Sequence, residues 1–163
     1  MLIAVMSDSH DNIWNIRKAV ALVREKGAGM IIHCGDFVAP FTLRELDAAG
    51  VPVHGAFGNN DGDPFLMAKV AATECVNITL HGFMGNVAAG AWRVAFTHRR
   101  ETAVGLAASG SFDLACYGHT HAFAMDEAFG KPLLNPGEVM GKDGEPGFCL
   151  VNMDTGQMER VLL

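Results

Sequence analysis

The sequence predicts an α/β fold, two packed β-sheets with helices on their outer faces. Three observations carry that expectation. Short apolar runs alternate with helical periods from Leu2 to Ala72, the pattern of parallel strands joined by crossover helices. From Val76 onward the apolar runs are short and separated by glycine turns, with one helical stretch among them. The chain has 163 residues, 50% hydrophobic and 18% charged. That suits a single domain over residues 1–163 whose core needs no metal or disulfide staple, and it excludes a disordered or fibrous chain.

Each element follows from a local signal. Leu2 to Ser7 is an apolar run that stops at a polar cluster, as a buried strand does. Asp11 or Asn12 can cap a helix over Ile13 to Lys26, with Ile13, Ile16, Ala19, Val20 and Val23 on one face. Met30 to Cys34 and Val51 to Ala56 read as strands, with a short helix at Thr42 to Ala49 between them. Asp63 followed by Pro64 is a helix start, and that helix runs to about Ala72. Val76 to Leu80, Asn86 to Ala89 and Trp92 to Thr97 are short strands, followed by a helix at Thr102 to Ala108 and a strand at Phe112 to Tyr117. Phe123 to Glu127, Lys131 to Leu134, Phe148 to Met153 and Gln157 to Leu162 read as antiparallel β-structure.

Twelve basic and 18 acidic residues leave a net charge of −6, which repels phosphate backbones over the general surface. With no aromatic and basic stripe for strand binding, this argues against a nucleic-acid partner. No apolar run approaches the roughly 18 residues of a membrane span. The N-terminus lacks a basic stretch ahead of its apolar run, so a cytoplasmic protein without membrane contact is expected. Cys34, Cys75, Cys116 and Cys149 form no Cys-x-x-Cys pair and read as reduced core residues.

Polar residues gather where the predicted strands end. Asp8-Ser9-His10 follows the first, Gly35-Asp36 the second and Gly58-Asn59-Asn60-Asp61 the third; His98 and Gly118-His119-Thr120-His121 follow two later ones. Each motif alone is more often a cap or a turn. Their joint placement beyond strand ends, where α/β sheets bind ligands, points to one site. Asp8, His10, Asp36, Asn59, His98, His119 and His121 supply hard oxygen and borderline nitrogen donors without a thiolate. That set suits Mn²⁺, Fe²⁺, Zn²⁺, Co²⁺ or Ni²⁺. The donors outnumber what one tetrahedral ion uses, and two ions about 3.5–4 Å apart that share a carboxylate account for them better.

In this order and spacing, the motifs resemble the calcineurin-like metallophosphoesterases, and the short length, Asn60 and the Asn135-Pro136-Gly137 turn are similar to their small bacterial and archaeal phosphodiesterase branch. The resemblance covers essentially the whole chain. It implies a four-layer sandwich with two mixed sheets inside and helices outside. It also implies that Asp8, His10 and His121 hold one ion, that Asn59, His98 and His119 hold the other, and that Asp36 bridges. The implied activity is hydrolysis of a small phosphoester by metal-activated water, with manganese the foremost metal and a homodimer or homotetramer as assembly. The other implied role is a catalytically weak scaffold or interaction subunit, as in relatives that have lost ligand histidines. Asp61 holds a motif position and is expected to orient the loop, while Asp63 reads as a cap.

Two positions depart from the family. Many members carry His where this chain has Asn60, whose amide can donate hydrogen bonds but cannot serve as an acid near neutral pH. After His98, relatives usually have Gly, and this chain has Arg99-Arg100-Glu101. The arginines are either a bidentate phosphate clamp or a solvated charge pair at a helix start. His33 and His54 read as structural, and His81 has no assigned role.

Overall fold

A computed structural model describes residues 1–163. Parallel strands β1 (Leu2–Met6), β2 (Ile31–His33), β3 (Val53–Gly55) and β4 (Ile78–Leu80) lie side by side in that order. The crossovers are α1 (Ile13–Lys26), α2 (Pro40–Asp47) and α3 (Pro64–Glu74). The helix starts expected at Asn12 and Asp63 are in place, and Gly27 adds a C-terminal cap. The Asn12 side chain accepts the Asn15 N–H at 3.2 Å, Gly27 ends α1 with φ 71°, and Asp63 accepts the Leu66 N–H at 3.0 Å ahead of Pro64. Asp11 caps no helix of its own. Its carboxylate takes the Ala39 N–H at 2.9 Å and the Thr42 hydroxyl at 3.0 Å, which clamps the start of α2, where Ala39 has no side chain to do so.

The second sheet has the order β5 (Met84–Ala89), β6 (Trp92–Thr97), β7 (Leu114–Cys116), β9 (Lys131–Pro136) and β8 (Phe123–Ala128), with α4 (Arg100–Ala108) between β6 and β7 in the chain. The last strands, β10 (Gly147–Asn152) and β11 (Met158–Leu162), return to the first sheet, where β10 pairs antiparallel with β1. Three pairings differ from the sequence expectation. β4 belongs to the first sheet, β9 runs parallel to β7 as well as antiparallel to β8, and β10–β11 leave the β8–β9 hairpin for the other sheet. Apolar alternation reports which face of a strand is buried, and it says nothing about which sheet the strand joins.

The core forms three apolar layers. One packs α1–α3 against the outer face of the first sheet, around Ile16, Val23, Phe37 and Leu46. A second fills the space between the sheets with Ile3, Val5, Ile32, Phe96, Leu114 and Val151. A smaller third lies under α4, from Ala103, Ala107 and Tyr117. Helices, sheet, sheet and helix therefore make the four-layer sandwich. Cys34, Cys116 and Cys149 are buried free thiols, and Cys75 is half-buried. No helix is long and apolar enough to cross a membrane.

Candidate metal centre

The carboxyl ends of β1, β2 and β3 and the loops after β6 and β7 open onto one crevice, which gathers Asp8, His10, Asp36, Asn59, His98, His119 and His121. Asp36 stands at its centre. Its Oδ2 lies 3.4 Å from His10 Nε2 and 3.4 Å from His98 Nε2. The histidines form two pairs around it, His10–His121 and His98–His119, each with ring centroids 5.1 Å apart. Asp8 Oδ1 faces the first pair, 3.4 Å from His121 Nε2 and 3.8 Å from His10 Nε2. Asn59 Oδ1 faces the second pair, 3.0 Å from His98 Nε2.

The backbone is bent to achieve this. Eight non-glycine residues have positive φ, and five are members of this set: Asp8 (53°), His10 (41°), Asp36 (59°), His119 (69°) and His121 (59°). Such conformations cost free energy and persist only where the surroundings over-determine them, as they do in sites built for function. Asp61 is one of the restraints. Its carboxylate accepts the N–H groups of Gly58 (2.7 Å), Val38 (2.8 Å) and Asp36 (3.2 Å), so it ties the β2 and β3 loops together. The motif glycines permit close packing. A Cβ on Gly58 would strike the Asp36 carboxylate, one on Gly35 the His98 ring, and one on Gly118 both Ser7 Oγ and Asp8 Oδ2.

Hydrogen bonds fix the ring orientations. His98 Nδ1 donates to the Cys34 carbonyl at 2.9 Å, and His121 Nδ1 donates to Glu138 Oε2 at 2.9 Å. Both rings therefore turn Nε2 toward the cluster, the nitrogen each would offer a metal after giving up any proton it carries. Glu138 is fully buried, and its Oε1 accepts the N–H groups of Asp143 (2.6 Å) and Gly144 (2.7 Å). Sequence reasoning did not single it out. The only available signal was a carboxylate directly after the Asn135-Pro136-Gly137 turn. Asn135 itself donates to the Gly118 carbonyl (3.0 Å) and to Thr120 Oγ1 (2.9 Å), which holds the histidine loop.

Charge is balanced tightly in the protein alone. Burial raises the Asp36 pKa, but hydrogen bonds from His98 and Asn60 outweigh it and hold the carboxylate far below its usual range. Asp8 is likewise raised by burial and lowered by more through His10 and Ser7. Even so, Asp8 Oδ1 and His10 Nε2 are buried without a hydrogen-bond partner. Orphaned buried polar atoms are costly, and these two face each other inside a set of oxygen and nitrogen donors. The groups Asp8, His10 and His121, and Asp8, Asp36 and His98, each bring their ligand atoms within 4.8 Å of one another. This chemistry fits divalent cations.

The other candidates divide. Asn60 gives both its backbone N–H and its side-chain amide to Asp36, each at 2.8 Å, so it orients that carboxylate. The Arg99 guanidinium lies on the rim, 3.0 Å from His119 Nε2 and 3.5 Å from Asn59 Oδ1. Arg100 does not join the cluster. It starts α4 and pairs with Asp126 on β8, which is the helix-start charge pair of the two readings, while Arg99 alone borders the cluster. His33 is structural, with Nε2 at Ser9 Oγ (3.1 Å) and its ring stacked on Phe37. His54 and His81 contact each other (3.0 Å) between the sheets, outside the cluster.

The family model for the calcineurin-like phosphoesterase superfamily domain matches residues 1–156. Phosphodiesterase MJ0936 of Methanocaldococcus jannaschii is 30% identical over 166 residues, covering all of this chain and 99% of that protein. The solved structure of a novel archaeal phosphodiesterase superposes with a TM-score of 0.90 at 28% identity over the full length of both chains. Vacuolar protein sorting 29 from Cryptosporidium parvum shares the fold, with a TM-score of 0.70 at 17% identity, over 99% of this chain and 96% of its own. The chain belongs to the calcineurin-like phosphoesterase superfamily and is a metal-dependent phosphoesterase.

Proposed function

We propose that the protein is a phosphodiesterase that works with two divalent transition-metal ions and hydrolyses a small phosphoester. One observation carries the reading: Asp36 Oδ2 lies 3.4 Å from a histidine nitrogen on each side, the position of a carboxylate shared between two cations. Asp8, His10 and His121 would hold one ion, Asn59, His98 and His119 the other. When bound, the ions supply Lewis acidity toward a phosphate oxygen and lower the pKa of water toward neutrality. Mn²⁺ is the first choice, with Fe²⁺, Zn²⁺, Ni²⁺ and Co²⁺ compatible with the same donors.

The chain's own residues do the rest. Asn60 holds both oxygens of Asp36, and Glu138 holds the His121 ring. Arg99 places a fixed cation on the rim, where its fork can take a phosphate oxygen. No titratable group occupies the Asn60 position, so the leaving oxygen departs as an anion or takes its proton from solvent or from a neighbouring residue. The full donor set favours an enzyme over a scaffold of the same fold. Elemental analysis of metal-reconstituted protein, paired with turnover of bis(4-nitrophenyl) phosphate, tests the reading. Two ions per chain and activity abolished by chelator are expected. Saturation at one ion with activity intact, or turnover of monoesters alone, would overturn it.

A further inference from the structure

Two recesses flank the cluster, and their chemistry differs. On the His10–His121 side is a polar one of about 400 Å³, edged by Asn60, Thr120 and Lys142. On the Asn59–His98 side is one of about 320 Å³ walled by Phe57, Phe83 and Met84. The second meets the site along Asn59, His98 and Arg99. Phe57 is its buried floor at 7% exposure, and Phe83 is 71% exposed. Their rings meet edge to face at 6.2 Å and 63°, making an aromatic corner. The wall is held in place, because the buried Thr97 hydroxyl donates to the Phe83 carbonyl at 3.0 Å. Thr102 closes the recess from α4.

From this arrangement we infer that the Phe57–Phe83 recess is a substrate subsite for a planar aromatic ester arm, an aryl ring or a nucleobase, joined to the phosphate held at the Asp36 cluster. The inference rests on the phosphoesterase site being where the cluster is, and it deepens the phosphodiesterase reading by naming one arm of the diester. The recess matches this occupant in size, since a cavity of about 150 Å³ already holds benzene and ligand pockets begin near 300 Å³. It matches in chemistry, since a flat ring can lie offset or edge-on against Phe83. It matches in place, because anything in the recess borders Asn59 and His98. Arg99 at its mouth can pair with the phosphate or stack on the ring. The polar recess opposite would take the second, hydrophilic arm.

Calorimetry on the metal-loaded protein tests this without turnover, using phenylphosphonate and methylphosphonate as probes. Phenylphosphonate should bind about 5- to 100-fold more tightly, the range for a single ring stacked on an aromatic side chain. Phe83→Ala should bring the ratio close to one and Phe83→Leu should lower it in part. Phe129→Ala, equally exposed but on the β8–β9 turn, should leave it alone. A Phe83-dependent gain for thymidine 5′-phosphorothioate over methylphosphonate would identify a nucleobase arm, and a gain confined to phenylphosphonate a simple aryl arm. A ratio that is the same in wild type and Phe83→Ala overturns the subsite. If the ratio collapses as expected while no diester is hydrolysed, the subsite stands and the diesterase reading falls.

Discussion

Replacing His33 by glutamine should flatten the acid limb of the stability curve. The ring is fully buried at the end of β2, stacked on Phe37 at 3.9 Å. Its Nδ1 accepts the Gly35 N–H at 3.2 Å, so the ring proton sits on Nε2, which meets Ser9 Oγ at 3.1 Å. A second proton could only go onto Nδ1, where it would point at the Gly35 N–H. Burial, opposed in part by the charges of Asp8 and Asp36, pushes the pKa down to about 3. The unfolded chain protonates the same group near pH 6.5. Between those values the unfolded state binds a proton that the folded state refuses, so stability is full above the unfolded pKa and falls as the solution is acidified. From pH 7 to pH 5 the loss from this one residue is about 2 kcal/mol. Urea unfolding of the chelated protein at pH 7, 6 and 5, followed by circular dichroism, reads it. Glutamine lowers stability at every pH through lost packing, so the quantity compared is the slope. The wild type should lose about 2 kcal/mol more than His33→Gln across that range. Equal slopes would refute a neutral, proton-refusing His33.

Three further predictions concern the site. Glu138→Gln keeps the shape but replaces a carboxylate partner of His121 with an amide, and it should weaken metal binding by about 10- to 100-fold with the fold intact, read by competition with a chelating dye. Asp36→Asn removes the anion between the two histidine pairs and should cost more metal content and turnover than Asn59→Ala, which removes one neutral ligand; comparable losses would count against Asp36 as the shared group. Because Asn60 has no titratable proton, aryl diesters should be cleaved far faster than alkyl diesters, by about the 10²–10⁴-fold that acid assistance is worth. A flat dependence of kcat/KM on the leaving group would show that another residue supplies the proton.

The local features of this protein are readable in its residues. Apolar runs that end in Asp, Asn or His mark strand exits, and the helix signals at Asn12, Gly27 and Asp63–Pro64 act within a turn or two of their own positions. For that reason the donor set and most elements are apparent from sequence. What the sequence leaves open depends on partners far along the chain. β10 pairs with β1 across nearly the whole chain, and β9 lies parallel to β7, because strand alternation records a buried face without naming its neighbour. Glu138 acquires its role only when the turn after β9 folds under His121, and Asn60 only when the β3 loop meets Asp36. Arg99 and Arg100 are adjacent and chemically alike, yet Arg99 is the extended residue ahead of α4 and reaches His119. Arg100 begins the helix, whose turn of about 100° per residue carries its side chain round to Asp126 on β8.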